Sequence, residues 1–181
     1  MKKIIISITI IIVFSLGYVE IYSNFHKIDN DVYRSGQMNS LNMPYYLKKF
    51  EIKTVLNLRG ESSRTWYKNE KNITQRNNVE LINFDMFSGK FYNFNQTTQL
   101  VNLIKKAKKP LLIHCIGGAD RTSLASALYL YGVKKFTKTE SKKQFSWIYG
   151  YLPSIRPHVL MMEKSFNNYV LNKKDKKITV Y

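Results

Sequence analysis

Residues 111–123 read Leu111-Leu112-Ile113-His114-Cys115-Ile116-Gly117-Gly118-Ala119-Asp120-Arg121-Thr122-Ser123, and this stretch decides the fold. Leu111-Leu112-Ile113 follows Pro110 as an unbroken apolar run, the pattern of a central strand buried on both faces. From Thr122 to Tyr131 the chain is apolar almost all round, as in a buried helix. A short glycine-bearing loop joins the two. In open α/β sheets, ligands bind at the carboxyl ends of strands, where such loops lie.

Working outward, strands are expected at 32–35, 54–58 and 79–84. Helices are expected at 41–50, with Pro44 tolerated in the first turn, and at 62–77, 96–108, 139–148 and 158–172. Leu100, Leu103 and Ile104 give the 96–108 segment its apolar stripe. Strands that alternate with helices predict a single α/β domain over residues 24–172, with a central, mainly parallel sheet flanked by helices. The lysine-rich tail, residues 173–181, is expected to fray at the surface.

The loop has a definite chemistry. Six successive residues, Ile116, Gly117, Gly118, Ala119, Asp120 and Arg121, can turn backbone N–H groups toward an anion, and the following helix adds its N-terminal dipole. Glycine lets the backbone approach closely. The same field favours the thiolate form of a cysteine held at its focus. Arg121 supplies a planar fork that matches two phosphoryl oxygens and can follow them through in-line transfer. Thr122 or Ser123 is placed to donate a hydrogen bond to the sulfur of Cys115, and His114 to orient that cysteine from below. The chain has one cysteine, which excludes intrachain disulfides and cysteine-based zinc clusters.

His114-Cys115-x-x-Gly118-x-x-Arg121-Thr122 resembles the signature of the protein tyrosine and dual-specificity phosphatase superfamily. The Asp120-Arg121-Thr122 ending is similar to the bacterial dual-specificity-like branch and to phosphoinositide phosphatases. Val32-Tyr33-Arg34-Ser35-Gly36-Gln37, Val55-Leu56-Asn57-Leu58-Arg59-Gly60 and Gln144-Phe145-Ser146-Trp147-Ile148-Tyr149-Gly150 also resemble that branch, as scaffold stretches. Ser123 stands where the superfamily usually has glycine. The resemblance implies a phosphomonoester hydrolase with a covalent cysteinyl-phosphate intermediate, no metal and no other cofactor. It also implies a general acid on a loop upstream of the cysteine. Asp85 fits, opening a loop with Ser88, Gly89 and Lys90 that can close over substrate. Asp120, inside the signature, is the alternative acid or water-positioner. Glu61 is expected to pair with Arg59 or cap the next helix.

The formal net charge is +17, which favours polyanionic partners. A phosphorylated protein and an anionic phospholipid head group both fit, and an anionic membrane surface fits as well. The lysine pairs read as solvated helix faces rather than a nucleic-acid motif. Met1-Lys2-Lys3 followed by the apolar run Ile4–Val19 reads as a targeting segment over residues 1–23. It is either a signal peptide cut after Gly17 or a retained anchor. Either places the domain outside the cytoplasm, in a bacterial periplasm or on the outer face of the membrane. Two other classes use an anion loop: a non-catalytic phosphate-binding module, and a sulfurtransferase or arsenate reductase. The Arg121-Thr122 ending and the lack of further cysteines weigh against the latter pair.

Overall fold

The computed structural model describes residues 23–178. Five strands form one sheet: β1 (His26–Asp29), β2 (Val32–Ser35), β3 (Thr54–Asn57), β4 (Glu80–Asn83) and β5 (Leu111–His114). Their spatial order is β1-β2-β5-β3-β4. β2, β5, β3 and β4 run parallel, and β1 is an antiparallel edge strand. β5 lies at the centre, as its apolar run requires. The register sets Ser35, His114, Asn57 and Asn83 level with one another, so the four parallel strands end in one polar row.

Side chains alternate across the sheet with the two-residue period of a strand. Leu111 and Ile113 face a large core formed with Leu100, Ile104, Leu124, Leu128 and Phe166. These belong to helices α3 (Phe94–Lys106), α4 (Asp120–Gly132) and α6 (Leu160–Ile178). Leu112 points the other way, into a smaller core with Tyr33, Val55, Met43 and Leu47, covered by α1 (Met43–Lys49) and α2 (Thr65–Arg76). α4 is buried on nearly every side because β5, α3, α6 and the short α5 (Lys138–Lys142) enclose it. Burying each of its leucines contributes about 1.5–3 kcal/mol, which fixes the helix start, and with it the preceding loop, against the sheet.

Two expectations need correction, and one strand was not foreseen. β1 has no apolar alternation to announce it; its residues are half-buried or exposed and its pairing is bulged between Lys27 and Asp29. The helix expected over 139–148 stops at Lys142, because Gln144 turns inward and a 3-10 turn, Trp147–Tyr149, follows under the cap of Ser146. The tail does not fray at Lys173: α6 continues to Ile178, and Lys173 Nζ bonds to Gly132 O at 3.1 Å while lying over the Tyr131 and Tyr169 rings. Residues 1–22, with the expected signal or anchor, lie outside the described residues. Among the described residues no helix is long and apolar enough to cross a membrane.

Candidate active site

The loop after β5 is held from behind by its carbonyls. Ile116 O accepts from Gln37 N (2.8 Å), Gly117 O from Asn24 Nδ2 (2.8 Å), Gly118 O from Arg34 Nη2 (2.8 Å) and Ala119 O from Ser123 N (3.0 Å). A trans peptide sets N–H opposite C=O, so each outward bond turns the next amide inward. No described residue accepts from the amides of residues 116–119. The result is a cradle of N–H donors that runs into the N-terminus of α4, an arrangement suited to an anion.

The two glycines have different reasons. Gly118 has φ +69°, and a Cβ there would lie 2.6 Å from Ser35 C and Gly36 N, both backbone. Only glycine fits. A Cβ on Gly117 would meet nothing within 4 Å.

Cys115 sits at the root of the cradle, 3% exposed. Below it, His114 Nδ1 lies 3.2 Å from Cys115 O, and Nε2 lies 2.8 Å from Glu70 Oε1, a close polar contact rather than an aligned hydrogen bond. Glu70 is buried on α2 and also accepts from Gln37 Nε2 (3.3 Å); Gln37 Oε1 in turn accepts from Arg59 Nη1 (2.6 Å). This chain of contacts runs from the cavity wall to the Cys115 carbonyl. Arg59 goes to Gln37 and stacks 3.3 Å over the Trp66 ring, not to Glu61, which instead accepts from Asn83 Nδ2. Burial and then the neighbouring Arg121 hold the Arg59 guanidinium below its ordinary pKa.

Arg34 is a second, unexpected cation. It is fully buried beneath the cradle, bonded to Gly118 O, Ser123 Oγ (3.0 Å), Gln144 O (3.2 Å) and Gln144 Oε1 (2.6 Å), with the Tyr149 ring 3.8 Å away. Burial lowers its pKa to about 10, which still leaves it charged at neutral pH.

A cavity of about 520 Å³ opens beside the cradle, lined by Arg121, Ile116, Asp85, Phe87, Arg59 and Arg64 among others. Arg121 Nη1 donates to Met86 O (3.0 Å) and Leu58 O (3.3 Å), and its buried Nε has no partner. Asp85 is exposed at the mouth, and among the described residues no hydrogen bond or ion pair holds its carboxylate. Asp120 is engaged differently: Oδ2 accepts from Arg156 Nη1 at 3.0 Å, and Oδ1 is buried without a partner. Thr122 Oγ1 is buried and has no partner among the described residues. Ser123 does not serve the sulfur as one of the two hydroxyls considered for it: its Oγ donates to Gln144 O at 2.7 Å and accepts from Arg34.

The structure thus brings His114, Cys115, residues 116–119, Arg121 and Thr122 to one place, with Asp85 across the cavity and Asp120 on an ion pair. Asn24, Arg34, Gln37, Glu70, Gln144 and Arg156 were missed as site residues. Arg34, Gln37 and Gln144 lay in stretches that read only as scaffold. Glu70 sits in a polar helix with nothing to mark it.

The sequence profile of the family described as DSP-PTPase phosphatase fused to NAD+ kinase matches residues 21–151, which include the whole cradle. The chain belongs to this dual-specificity phosphatase family. Its fold is shared with TpbA of P. aeruginosa in complex with phosphotyrosine, at 16% identity, 88% of this chain and 92% of that one covered, and a TM-score of 0.68. It is shared with the Tk-PTP phosphatase in its active form (13%, 81% and 98%, 0.63). It is also shared with the core catalytic domain of the PP-IP phosphatase SIW14 from S. cerevisiae (17%, 87% and 94%, 0.61). No curated protein sequence matches the chain significantly.

Proposed function

We propose that this phosphatase domain cleaves phosphomonoesters through a cysteinyl-phosphate intermediate on Cys115. The observation that carries the reading is the cradle: a buried cysteine at a strand end, under inward amides and one arginine fork. The amides of residues 116–121 and Arg121 hold the phosphoryl oxygens, and Cys115 Sγ attacks phosphorus in line. The P–O bond to the leaving group breaks, and Asp85 gives that oxygen its proton. Water then attacks the cysteinyl-phosphate; Asp85 takes its proton, the S–P bond breaks, and phosphate and thiolate are released. The Thr122 hydroxyl donates to the departing sulfur. Asp120, held by Arg156, orients the start of α4 rather than the proton.

The substrate class is a phosphotyrosine or other phosphoprotein, or an anionic phospholipid head group; the phosphotyrosine complex of TpbA supports the first and the charge of +17 is compatible with either. With residues 1–23 as a signal or anchor, the domain works outside the cytoplasm.

Hydrolysis of an aryl phosphate tests the mechanism. Cys115→Ser abolishes turnover and traps no phosphoenzyme. Asp85→Asn lowers kcat by about 10²–10⁴ and removes the limb of the pH profile that needs a protonated acid, whereas Asp120→Asn keeps that limb. A folded, reduced wild type that binds phosphate analogues without turnover would leave a phosphate-binding module instead.

A further inference from the structure

We propose that the edge of the sheet bearing the cradle docks on an anionic lipid surface, which presents the scissile phosphate. This deepens the phosphatase reading and rests on it for the substrate class.

The topology collects exposed apolar side chains on one edge. Because β2, β3, β4 and β5 are parallel, the loops that follow them all lie at the same end of the sheet. Those loops carry Leu41 (82% exposed), Phe87 and Ile116. The turn over 147–149 is drawn to the same edge, since Asn24 Nδ2 bonds both Gly117 O and Tyr149 O. The segment after it is tied there too, since Arg156 bridges Asp120 and Gly150 O. These stretches add Trp147 (76%), Ile148 and Ile155 (75%). Single exposed apolar residues need no explanation, but a group of them gathered at one end of the sheet marks an interaction surface.

The chain's own course selects the occupant. β1 is antiparallel to β2, with His26 opposite Arg34, so the chain enters the fold at this same edge. Ser23 O accepts from Gly36 N, and Ser23 Oγ accepts from Asn42 Nδ2, close by Leu41. Ser23, where the described chain begins, therefore lies beside the cradle and Ile116, and the apolar run of residues 4–19 precedes it in sequence. Exposed Arg64 and Lys90 stand on the loops of this edge, on a chain of net charge +17. Apolar side chains flanked by cations suit the interface of an anionic bilayer.

The chain has two tryptophans; Trp66 lies under Arg59, so the difference between wild type and Trp147→Phe reports Trp147. The full chain is mixed with phosphatidylglycerol-containing vesicles. Brominated acyl chains are expected to quench Trp147, and iodide is expected to lose access to it. Tethering by residues 1–22 alone would not do this. Combined Trp147→Ser, Ile148→Ser and Ile155→Ser should leave aryl-phosphate turnover unchanged and lower hydrolysis of a vesicle-borne phosphate head group by about tenfold or more. Failure to bind, or a vesicle-bound chain whose Trp147 stays open to iodide, overturns the proposal. So does shielding of Trp147 by a phosphotyrosine peptide but not by vesicles, which assigns the surface to a protein. Quenching by vesicles in a chain inactive on every phosphate ester would sink the phosphatase reading alone and leave the docking standing.

Discussion

Gly118→Ala, set beside Gly117→Ala, separates the two neighbouring glycines of the cradle by one methyl group. At Gly118 the new Cβ must occupy φ +69° and lie 2.6 Å from Ser35 C and Gly36 N. Left-handed backbone costs a non-glycine residue roughly 1–2 kcal/mol, and overpacking against atoms that cannot rotate away costs roughly 1–3 kcal/mol. The combined loss is about 3 kcal/mol, which in a domain of this size lowers Tm by about 6–12 °C. Relief requires the cradle to shift off β2, breaking the bonds from Gln37 N to Ile116 O and from Arg34 to Gly118 O, so turnover falls with stability. At Gly117 the same methyl points into open space, and Tm is expected to stay within about 1 °C, a surface-substitution effect. Thermal unfolding followed by circular dichroism, with aryl-phosphate kinetics on the same samples, reads both. Equal Tm values for the two variants would refute the claim that backbone contact with β2 shapes the cradle.

The buried cation is tested by Arg34→Lys. A single ammonium cannot span Gly118 O and Gln144 together, so stability should fall by about 2 kcal/mol and kcat with it, both seen by the same two assays. Glu70→Leu strands His114 and Gln37 and is expected to cost about 2 kcal/mol, while Glu70→Gln retains most of the stability; urea unfolding distinguishes them. His26 has its pKa lowered from 6.5 by burial and then by Arg34. The unfolded chain therefore takes up that proton first, so stability is complete above pH 6.5 and declines as pH falls below it. Tm compared at about pH 7.5 and about pH 5.5 should show a decline that His26→Gln reduces.

The central elements were legible because each has one dominant signal. Leu111-Leu112-Ile113 has no polar face to offer solvent, Leu100, Leu103 and Ile104 give α3 its apolar stripe, and Cys115 with Arg121 brackets a loop too glycine-rich for a core turn. What escaped reading depends on tertiary partners. Arg34 lies in a strand whose four residues are all buried, and nothing local announces that a guanidinium is balanced there by carbonyls from residues 118 and 144. Glu70 has the same difficulty on a helix dominated by lysine and asparagine. The ion pair that gives Asp120 a different setting from Asp85 comes from Arg156, distant in sequence.

Three guanidinium groups, Arg34, Arg59 and Arg121, surround one small loop, and two of them are held below their ordinary pKa by burial. The folded domain thus retains unfavourable charge that the unfolded chain never experiences and that an oxyanion bound as proposed would offset. Occupancy and folding are linked: an anion at a hundred times its dissociation constant adds about 2.7 kcal/mol to stability. On the proposed role of the cradle, resistance to proteolysis and heat is expected to rise with phosphate concentration, so that the lifetime of the protein would read out how full its cradle is kept.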